Sequence, residues 1–231
     1  EYFEEIKEKG VKVLKYDKPF HFGKLYNWAA TQVDGEYMLV LNNDVKVLND
    51  GWLESMLEWA QLPEVGSVGA KLYYPDGKIQ HAGVIVGAGG AAAHSHRLLW
   101  GGTLGYEGCV VNIRNYLAVT GACMMVRRKL FLDMGGFDEQ FDPAYQDVDF
   151  GIRLYDEKGL FNVYTPYAQL THYESVTRFD SKNKEKLEKD TVNAEKLRKK
   201  WPQYIEYMGG RDPFYNDNLS YAHEDFRIRR E

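Results

Sequence analysis

The sequence predicts an α/β fold in which a mostly parallel sheet is flanked by helices. Apolar, strand-like runs alternate with amphipathic, helix-like segments through the first half of the chain, a pattern typical of doubly wound sheets. The run over residues 36–41 stops at Asn42, Asn43 and Asp44, so oxygen-bearing side chains are expected at the carboxyl edge of the sheet. Ligands of such sheets bind at that edge. No internal repeat and no linker rich in Gly, Ser or Pro divides the 231 residues.

Composition narrows the class of protein. The hydrophobic share of 44% and the charged share of 27% are ordinary for a globular protein. With a net charge of −5, the chain offers no basic surface for nucleic acid or anionic lipid. No apolar run is long enough for a transmembrane segment, and Cys109 and Cys123 follow no metal-binding spacing. We therefore expect a cytoplasmic protein with reduced thiols, which reaches the inner membrane surface only through partners.

Periodicity and turn residues place the elements of the first half in order. Asn49 or Asp50 is the expected N-cap of the helix that begins at Trp52, and the turn at residues 75–77 is expected to reverse a buried strand. The predicted elements are the end of a helix at 1–10, a short strand at 11–14, a helix at 23–33, a strand at 36–41, a helix at 52–61, a strand at 65–74 and a returning strand at 79–86.

Residues 87–116 interrupt this pattern with a Gly- and Ala-rich stretch that contains Trp100. Aperiodic segments of this length are usually functional loops or disordered. Beyond it, the predicted elements are a strand at 117–126, helices at 127–134 and 147–158, strands at 161–164 and 168–172, and a charged helix at 181–201. Because its apolar positions are sparse, the last helix is expected to pack on the outside of the protein.

Two carboxylates, Asp147 and Asp149, begin the helix over residues 147–158. The helix dipole and exposed amides favour carboxylates there, so simple capping explains them. A carboxylate in this position serves equally well as a general base next to an acceptor hydroxyl, and the residues alone leave both interpretations open. The two side chains diverge by roughly 200° around the helix axis. They would therefore not face each other across a sugar, as the carboxylate pair of a glycosidase does.

Two further groups of side chains have metal or phosphate chemistry. Asn42 and Asp44 offer the hard oxygen donors that Mg²⁺ and Mn²⁺ prefer, although for the tetrapeptide alone a turn that closes the strand and caps the next helix is the preferred interpretation. The other group follows the last predicted strand and comprises His172, Glu174, Ser175 and Arg178. A histidine and an arginine so placed can supply a metal ligand and a phosphate clamp. A lone histidine is more often structural, and that interpretation is preferred for His81, His94 and His96.

Taken in order, these segments resemble the bacterial family 2 glycosyltransferases, which have the GT-A fold, and most of all their rhamnosyltransferase-like, O-antigen-building members. The resemblance rests on an ordered set of motifs across nearly the whole chain. They are FHFGKLYN (20–27), GEY (35–37), LNND (41–44), VGAKLYYPDG (68–77), TGA (120–122), GGFD (135–138), DVD (147–149), HYES (172–175) and YNDNLS (215–220).

The resemblance implies transfer of a sugar from a nucleotide-diphosphate donor to a saccharide or lipid-linked hydroxyl, with Mn²⁺ or Mg²⁺ and with inversion. It implies Asp44 as the principal metal ligand, Asn42 at the first position of the metal motif and His172 as a further ligand. Asp147 corresponds to the catalytic base. Lys24, Asn27 and Arg178 correspond to residues at the nucleotide and diphosphate, and the loop around Trp100 is the expected acceptor lid.

The same resemblance sets the expected domain organisation. A glycosyltransferase domain is expected over residues 1–179, with a helical extension over 180–231 packed on it. Family members open with a βαβ unit that holds the nucleotide base, and this sequence starts after it. We therefore expect an incomplete sheet with weak donor binding, whose exposed edges can pair with another copy of the chain.

Two other functions remain compatible with the residues. One is a non-catalytic carbohydrate-binding or scaffold module of the same fold, which would need no base. The other is a nucleotide-sugar pyrophosphorylase, which is disfavoured because no Gly-rich, Lys- or Arg-rich phosphate loop occurs.

Overall fold

The computed structural model describes residues 2–173, 184–205, 211–224 and 226–229. The helices are α1 Tyr2–Glu8, α2 Phe22–Thr31, α3 Trp52–Ala60, α4 Arg128–Asp133, α5 Gln146–Lys158 and α6 Lys184–Lys200. The strands are β1 Tyr37–Leu41, β2 Val45–Val47, β3 Val65–Tyr73, β4 Ile79–His81, β5 Val84–Val86, β6 Ala92–His94, β7 Arg114–Tyr116, β8 Cys123–Arg127 and β9 Phe161–His172.

The main sheet has the order β1-β8-β3-β9-β2, with β4 added beside β3 and β7 beside β9. The α/β class is as predicted, but the prediction of a mostly parallel sheet is wrong. Among the described strands, only β3 and β9 pair in parallel. Because β8 runs antiparallel to both β1 and β3, β1, β3 and β9 do share one direction. Strand β8 separates β1 from β3, so that shared direction does not become parallel pairing.

This topology gathers several chain segments at one edge of the sheet. The carboxyl ends of β1 and β9 lie there because the two strands run the same way, and the amino end of β8 lies there because it runs the opposite way. Strand β2 starts at the same edge, where Val45 pairs with His172. Loops at such an edge carry the binding site in α/β proteins.

Helices cover both faces of the sheet. Alternate side chains of β8 point to opposite faces, so Cys123 and Met125 pack with α3 residues in one core. Met124 and Val126 pack in the other core with Phe131 of α4 and with apolar residues of α5. The sheet is therefore buried on both sides, and functional side chains are confined to its edge.

Two local predictions are corrected by the structure. Residues 11–14 form no strand, because an isolated apolar tetrapeptide has no neighbouring edge to pair with. Helix α3 is preceded by Gly51 at a φ of 72°, without a side-chain cap. Asn49 instead binds the backbone of β9, donating to the Tyr167 carbonyl and accepting from the Gln169 amide.

Among the described residues of the C-terminal part, α6 is the only helix. Leu197, Trp201 and Ile205 pack against Val84 and Ile152 in one core cluster. Residues 211–224 and 226–229 contain no helix, yet four of their apolar side chains complete another cluster, namely Tyr215, Leu219, Tyr221 and Phe226. The division at 179/180 falls outside the described residues and remains a prediction. Within the described part of the chain, no helix is both long enough and apolar enough to cross a bilayer.

Candidate functional site

A cleft of about 780 Å³ lies at the sheet edge where β1, β8 and β9 meet. Four residues singled out from the sequence line it, although they are far apart in the chain: Asn42, Asp44, Asp147 and His172. The edge of the sheet brings them together, as expected from strands that end at polar residues. Their placement in one cleft is observed; their chemical roles remain predictions.

His172 and Asp44 form the centre of one end of the cleft. The Nε2 atom of His172 lies 3.1 Å from Oδ1 of Asp44 and 3.1 Å from the amide nitrogen of Asn42. The Tyr173 amide donates to the Asp44 carbonyl over 2.8 Å, which fixes the backbone beside the pair. Both side chains are therefore positioned by backbone pairing between the end of β9 and the start of β2.

The tautomer of His172 follows from its partner on β4. The side-chain oxygen of Gln80 lies 2.7 Å from His172 Nδ1, and an amide oxygen only accepts hydrogen bonds. Nδ1 therefore carries the proton, and Nε2 keeps its lone pair toward Asp44 and Asn42. Metal-ligating histidines are oriented by this kind of hydrogen bond.

A divalent cation fits this pair of atoms. Two neighbouring ligands of an octahedral ion lie about 3 Å apart when each bond is about 2.1 Å, and His172 Nε2 and Asp44 Oδ1 have that separation. The described residues contain no group of three His, Cys, Asp or Glu side chains around one point. Two protein ligands are nevertheless enough for Mg²⁺, which commonly keeps waters and substrate phosphates as its other ligands.

The side chain of Asn42 contacts His172. Its amide nitrogen, rather than its oxygen, faces His172 Nε2. Its backbone amide donates to the Ala122 carbonyl over 3.0 Å, which continues the β1–β8 pairing beyond the strand ends. As observed, Asn42 orients the imidazole, and a direct bond from its oxygen to a cation remains a prediction.

Asp147 lines the cleft and is held by two backbone amides. Oδ2 accepts from Gly121 over 2.7 Å and Oδ1 accepts from Val148 over 2.9 Å. Helix α5 packs so closely on the chain before β8 that a Cβ on Gly151 would lie 2.8 Å from the Ala118 Cα. Tyr145, directly before α5, has a φ of 72°, a left-handed conformation that non-glycine residues seldom adopt and that concentrates at functional sites.

Asp149 points away from the cleft, as the helical spacing predicts. It is fully buried and is bound by three donors: Arg153 Nε at 2.9 Å, Lys200 Nζ at 2.7 Å and Trp201 Nε1 at 2.8 Å. Asp149 therefore ties the end of α6 to α5 and takes no part in the cleft. Of the two carboxylates, Asp147 alone lines the cleft.

Two of the predicted nucleotide contacts, Lys24 and Asn27, do not line the cleft. Asn27 joins α2 to the turn before α5, since its side chain donates to the Phe137 carbonyl and accepts from the Phe137 amide. Lys24 is exposed on α2, and its backbone amide donates to His21 at the helix start. Arg178 lies outside the described residues. The nucleotide-binding roles of all three remain predictions.

The far wall of the cleft was only partly predicted from the sequence. It is built by β5 and β6, and its lining includes Val84, Ala92, Ala93, His94 and Arg97. Strand β5 falls within the returning strand expected at 79–86, whereas β6 lies inside the stretch expected to be aperiodic, where alternation of small and polar residues is a weak strand signal. Trp100, in the loop expected to form the acceptor lid, does not line the cleft. It is 67% exposed and forms an isolated β-bridge with Lys78 at the β3–β4 turn.

Charged groups from the C-terminal part close this wall. Arg97 Nε lies 3.0 Å from Glu224 Oε1. Burial lowers the pKa of Arg97, but hydrogen bonds to Tyr74 and Glu224 outweigh that effect and raise the pKa above its ordinary value. Asp190 of α6 also lines the cleft, and its Oδ1 is buried without a hydrogen-bond partner among the described residues. The cleft thus has polar groups at both ends.

His81 and His96 are interior residues, as predicted. Burial and then His94 lower the pKa of His81 well below its ordinary value. Burial, Arg114 and Lys71 lower the pKa of His96 to about 4, so both rings are neutral at pH 7. His94 differs from them because it lines the cleft.

Comparison with known proteins agrees with this geometry. The glycosyl transferase family 2 profile matches residues 1–135. The O-antigen biosynthesis protein RfbC of Myxococcus xanthus is 39% identical over 219 residues, covering 94% of this chain and 16% of that protein. The N-acetylglucosaminyl-diphospho-decaprenol L-rhamnosyltransferase of Mycobacterium tuberculosis is 30% identical over 148 residues, covering 61% of this chain and 48% of that enzyme.

A solved structure shows the same architecture. The crystal structure of GalNAc-T7 with UDP, GalNAc and Mn²⁺ superimposes with a TM-score of 0.54 at 11% identity, covering 74% of this chain and 34% of that one. At this identity the likeness concerns the fold, and it confirms the GT-A class predicted from the sequence. The chain spans less than half the length of each protein compared here.

Proposed function

This chain belongs to glycosyl transferase family 2, and we propose that it transfers a sugar from a nucleotide-diphosphate donor to a saccharide or lipid-linked hydroxyl. The reaction is divalent-cation-dependent and inverts the anomeric carbon. Its place is the synthesis of bacterial cell-surface polysaccharide, at the cytoplasmic side of the membrane. The observation that carries the proposal is the convergence of Asp44, Asp147 and His172 in one cleft.

The leaving-group end of the cleft is the end that holds Asp44 and His172. A carboxylate oxygen and an imidazole nitrogen 3.1 Å apart suit a cation that carries phosphate oxygens. When bound, Mn²⁺ or Mg²⁺ would offset the negative charge that develops on the departing diphosphate. The crystal structure of GalNAc-T7 contains both UDP and Mn²⁺, which supports this assignment by analogy.

Asp147 is the proposed base. The acceptor oxygen forms a bond to the anomeric carbon while the bond from that carbon to the diphosphate oxygen breaks, and the hydroxyl proton passes to Asp147. Each Asp147 oxygen accepts a hydrogen bond from one backbone amide and retains a second lone pair. The carboxylate is therefore oriented and can still accept a proton. A single displacement assisted by one base inverts the configuration.

The names of two relatives support the proposed polysaccharide product and the proposed acceptor. One is an O-antigen biosynthesis protein. The other is named for rhamnosyl transfer to a sugar on a decaprenyl diphosphate. Both support a saccharide or lipid-linked acceptor for this chain.

The test measures release of nucleoside diphosphate from UDP-, dTDP- and GDP-sugars with Mn²⁺ and a panel of methyl glycosides as acceptors. We expect Asp147→Asn to lower kcat by about 10²–10⁴-fold, the usual contribution of a general base, without changing Mn²⁺ affinity. The control is Asp133→Asn, which alters an exposed carboxylate on α4 and should have wild-type kcat. The anomeric configuration of the product, measured by NMR coupling constants, should be inverted.

Two outcomes would overturn the proposal. An Asp147→Asn protein as active as wild type would show that Asp147 is not the catalytic base. A wild-type protein that binds methyl glycosides but releases no diphosphate from any donor would favour a carbohydrate-binding module instead.

A further inference from the structure

Arg97 brings a permanent positive charge to the wall of the cleft. Four carboxylates line the same cleft, namely Asp44, Asp147, Asp190 and Glu224, and among the described lining residues Arg97 is the only arginine or lysine. An arginine side chain stays protonated in a folded protein. A guanidinium in a cleft that otherwise carries negative charge is suited to an anionic group of a ligand.

The backbone has an unusual conformation on both sides of Arg97. His96 has a φ of 58° and Leu98 a φ of 66°, values that residues other than glycine seldom adopt. Main-chain hydrogen bonds hold the segment, since the His96 amide donates to the Glu224 carbonyl over 3.2 Å and the Leu98 amide donates to the Ile79 carbonyl over 2.8 Å. Such conformations cost free energy and cluster at ligand-binding sites, which indicates a function for the side chain between them.

The register of the sheet connects Arg97 to the end of the cleft that holds His172. Tyr73 of β3 pairs with Thr171 of β9 in parallel, so Tyr74 and His172 are the next residues along the two neighbouring strands. Both of them line the cleft. Arg97 donates a hydrogen bond to the Tyr74 hydroxyl. The guanidinium is therefore separated from the His172 side of the cleft by one tyrosine.

Strand β4 makes a second connection to the same place. Leu98, directly after Arg97, is bonded to Ile79, and the next residue, Gln80, lies 2.7 Å from His172 Nδ1 through its side-chain oxygen. The two connections are independent, because one runs through β3 and the other through β4. Both place Arg97 near the pair of side chains that suits a divalent cation.

The guanidinium keeps hydrogen-bond donors for a ligand. Arginine has five N–H donors. Nε donates to Glu224 Oε1 over 3.0 Å, and the other partner among the described residues is the hydroxyl of Tyr74. The side chain of Arg97 is 34% exposed, so the remaining N–H groups are within reach of the cleft. A planar fork of this kind matches the oxygens of a phosphate group.

We propose that Arg97 binds a phosphate group of a substrate diphosphate, beside the cation that Asp44 and His172 would hold. The inference rests on the proposed transfer reaction and adds to it a positive charge that the protein itself supplies. Two diphosphates belong to that reaction: the leaving group of the nucleotide-sugar donor and the diphosphate of a lipid-linked acceptor. Glu224 orients the guanidinium and competes with the phosphate for it.

The test is calorimetric titration of the full chain with UDP, dTDP, GDP and farnesyl diphosphate in the presence of Mg²⁺. Arg97→Gln removes the charge and the fork. We expect it to weaken binding of at least one of these diphosphates by about tenfold or more, because hydrogen bonds to charged groups are among the stronger ones. A loss confined to a nucleoside diphosphate assigns Arg97 to the donor, and a loss confined to farnesyl diphosphate assigns it to the acceptor.

Glu224→Gln is the matched variant that separates binding from structural support. It breaks the same ion pair but leaves the guanidinium in place. A phosphate-binding role predicts affinity equal to or tighter than wild type, because a competing negative charge is removed. A purely structural role predicts the same defect as in Arg97→Gln. Lys199→Gln, an exposed change on α6 outside the cleft, controls for net charge and should bind as wild type does.

The outcomes keep this proposal and the transfer reaction apart. Wild-type affinity of Arg97→Gln for all four diphosphates overturns the role of Arg97, and so does equal weakening in Arg97→Gln and Glu224→Gln. A wild-type chain that binds none of the four overturns it as well. If wild type binds a diphosphate through Arg97 but releases none from any nucleotide sugar, the role of Arg97 stands and the transfer reaction fails.

Discussion

At the scale of single residues, hydrogen-bond polarity determines which atom faces the cleft. Gln80 gives His172 a protonated Nδ1 and an accepting Nε2, while the Nδ1 atoms of His81 and His94 lie 2.9 Å apart. The His172 ring is thereby suited to a cation. The identity of these side chains matters less than the neighbour that fixes each proton.

We expect Gln80→Leu to weaken Mn²⁺ binding by about 10–100-fold, since the hydrogen bond that orients a metal-ligating histidine has that effect. Mn²⁺ affinity measured by electron paramagnetic resonance checks the expectation. Gln80→Glu keeps the accepting oxygen and should bind Mn²⁺ at least as tightly as wild type. Gln203→Leu, an exposed change after α6, is the control. Wild-type affinity in Gln80→Leu would show that His172 needs no such support.

At the scale of elements, α5 carries two functions on opposite faces. Asp147 faces the cleft from its first turn, and Asp149, two residues on, anchors α6 through Lys200 and Trp201. Lys200 also binds Asp138 over 2.7 Å, so the end of α6 is held at two points. Packing of α6 thereby supports the segment that holds Asp147.

We expect Asp149→Ala to lower the free energy of unfolding by about 3–5 kcal/mol, because removal of one partner leaves the buried charge of Arg153 uncompensated. Urea denaturation measures the change. Asp133→Ala, on the exposed side of α4, should stay within about 0.5 kcal/mol of wild type. An Asp149→Ala protein as stable as wild type would contradict the anchoring role.

Elements were predicted correctly where a short sequence pattern is enough to determine the local structure. The apolar run before Asn42 and the carboxylates at the start of α5 are visible in the sequence, so the edge position of Asp44 and Asp147 was predictable. The insertion of β8 between β1 and β3 was not, because no residue of β8 encodes which strand lies beside it. Strand β6 was hidden for a similar reason, and β5 was predicted only as part of one strand over residues 79–86. Their pairing depends on Ala118 and on the C-terminal residues that pack over them.

At the scale of the whole molecule, the C-terminal residues are part of the core. Asp212 is buried and accepts from the Val86 amide of β5 over 2.9 Å and from the Phe214 amide over 2.9 Å. Burial, opposed by those two amides and by Arg114, raises the pKa of Asp212 to about 7. The far wall of the cleft therefore depends on a carboxyl group that is half protonated near neutral pH.

This raised pKa predicts a pH dependence of stability. The folded state holds the Asp212 proton more tightly than the unfolded state. The contribution of this proton to the free energy of unfolding is therefore complete below about pH 4, the ordinary range of an aspartate pKa. That contribution decreases as the pH rises to about 7, and above that value it no longer changes with pH. Asn stays uncharged at every pH, so the difference in unfolding free energy between Asp212→Asn and wild type should shift in favour of the variant as the pH rises from 4 to 7.

Urea denaturation at a series of pH values measures this difference in unfolding free energy. The control is Asp217→Asn, an exposed change in the same segment, whose difference from wild type should not vary with pH. A pH-independent difference for Asp212→Asn would contradict the raised pKa.

The three-residue strand β4 has a consequence for two side chains of the cleft. Its consecutive side chains Gln80 and His81 reach His172 and His94 respectively, and neighbouring residues of a strand are about 3.3 Å apart. One short piece of backbone therefore sets the spacing of two imidazole rings. A sequence change that shifts the register of this hairpin would displace both rings at once, whereas a change of side chain can alter one and leave the other in place.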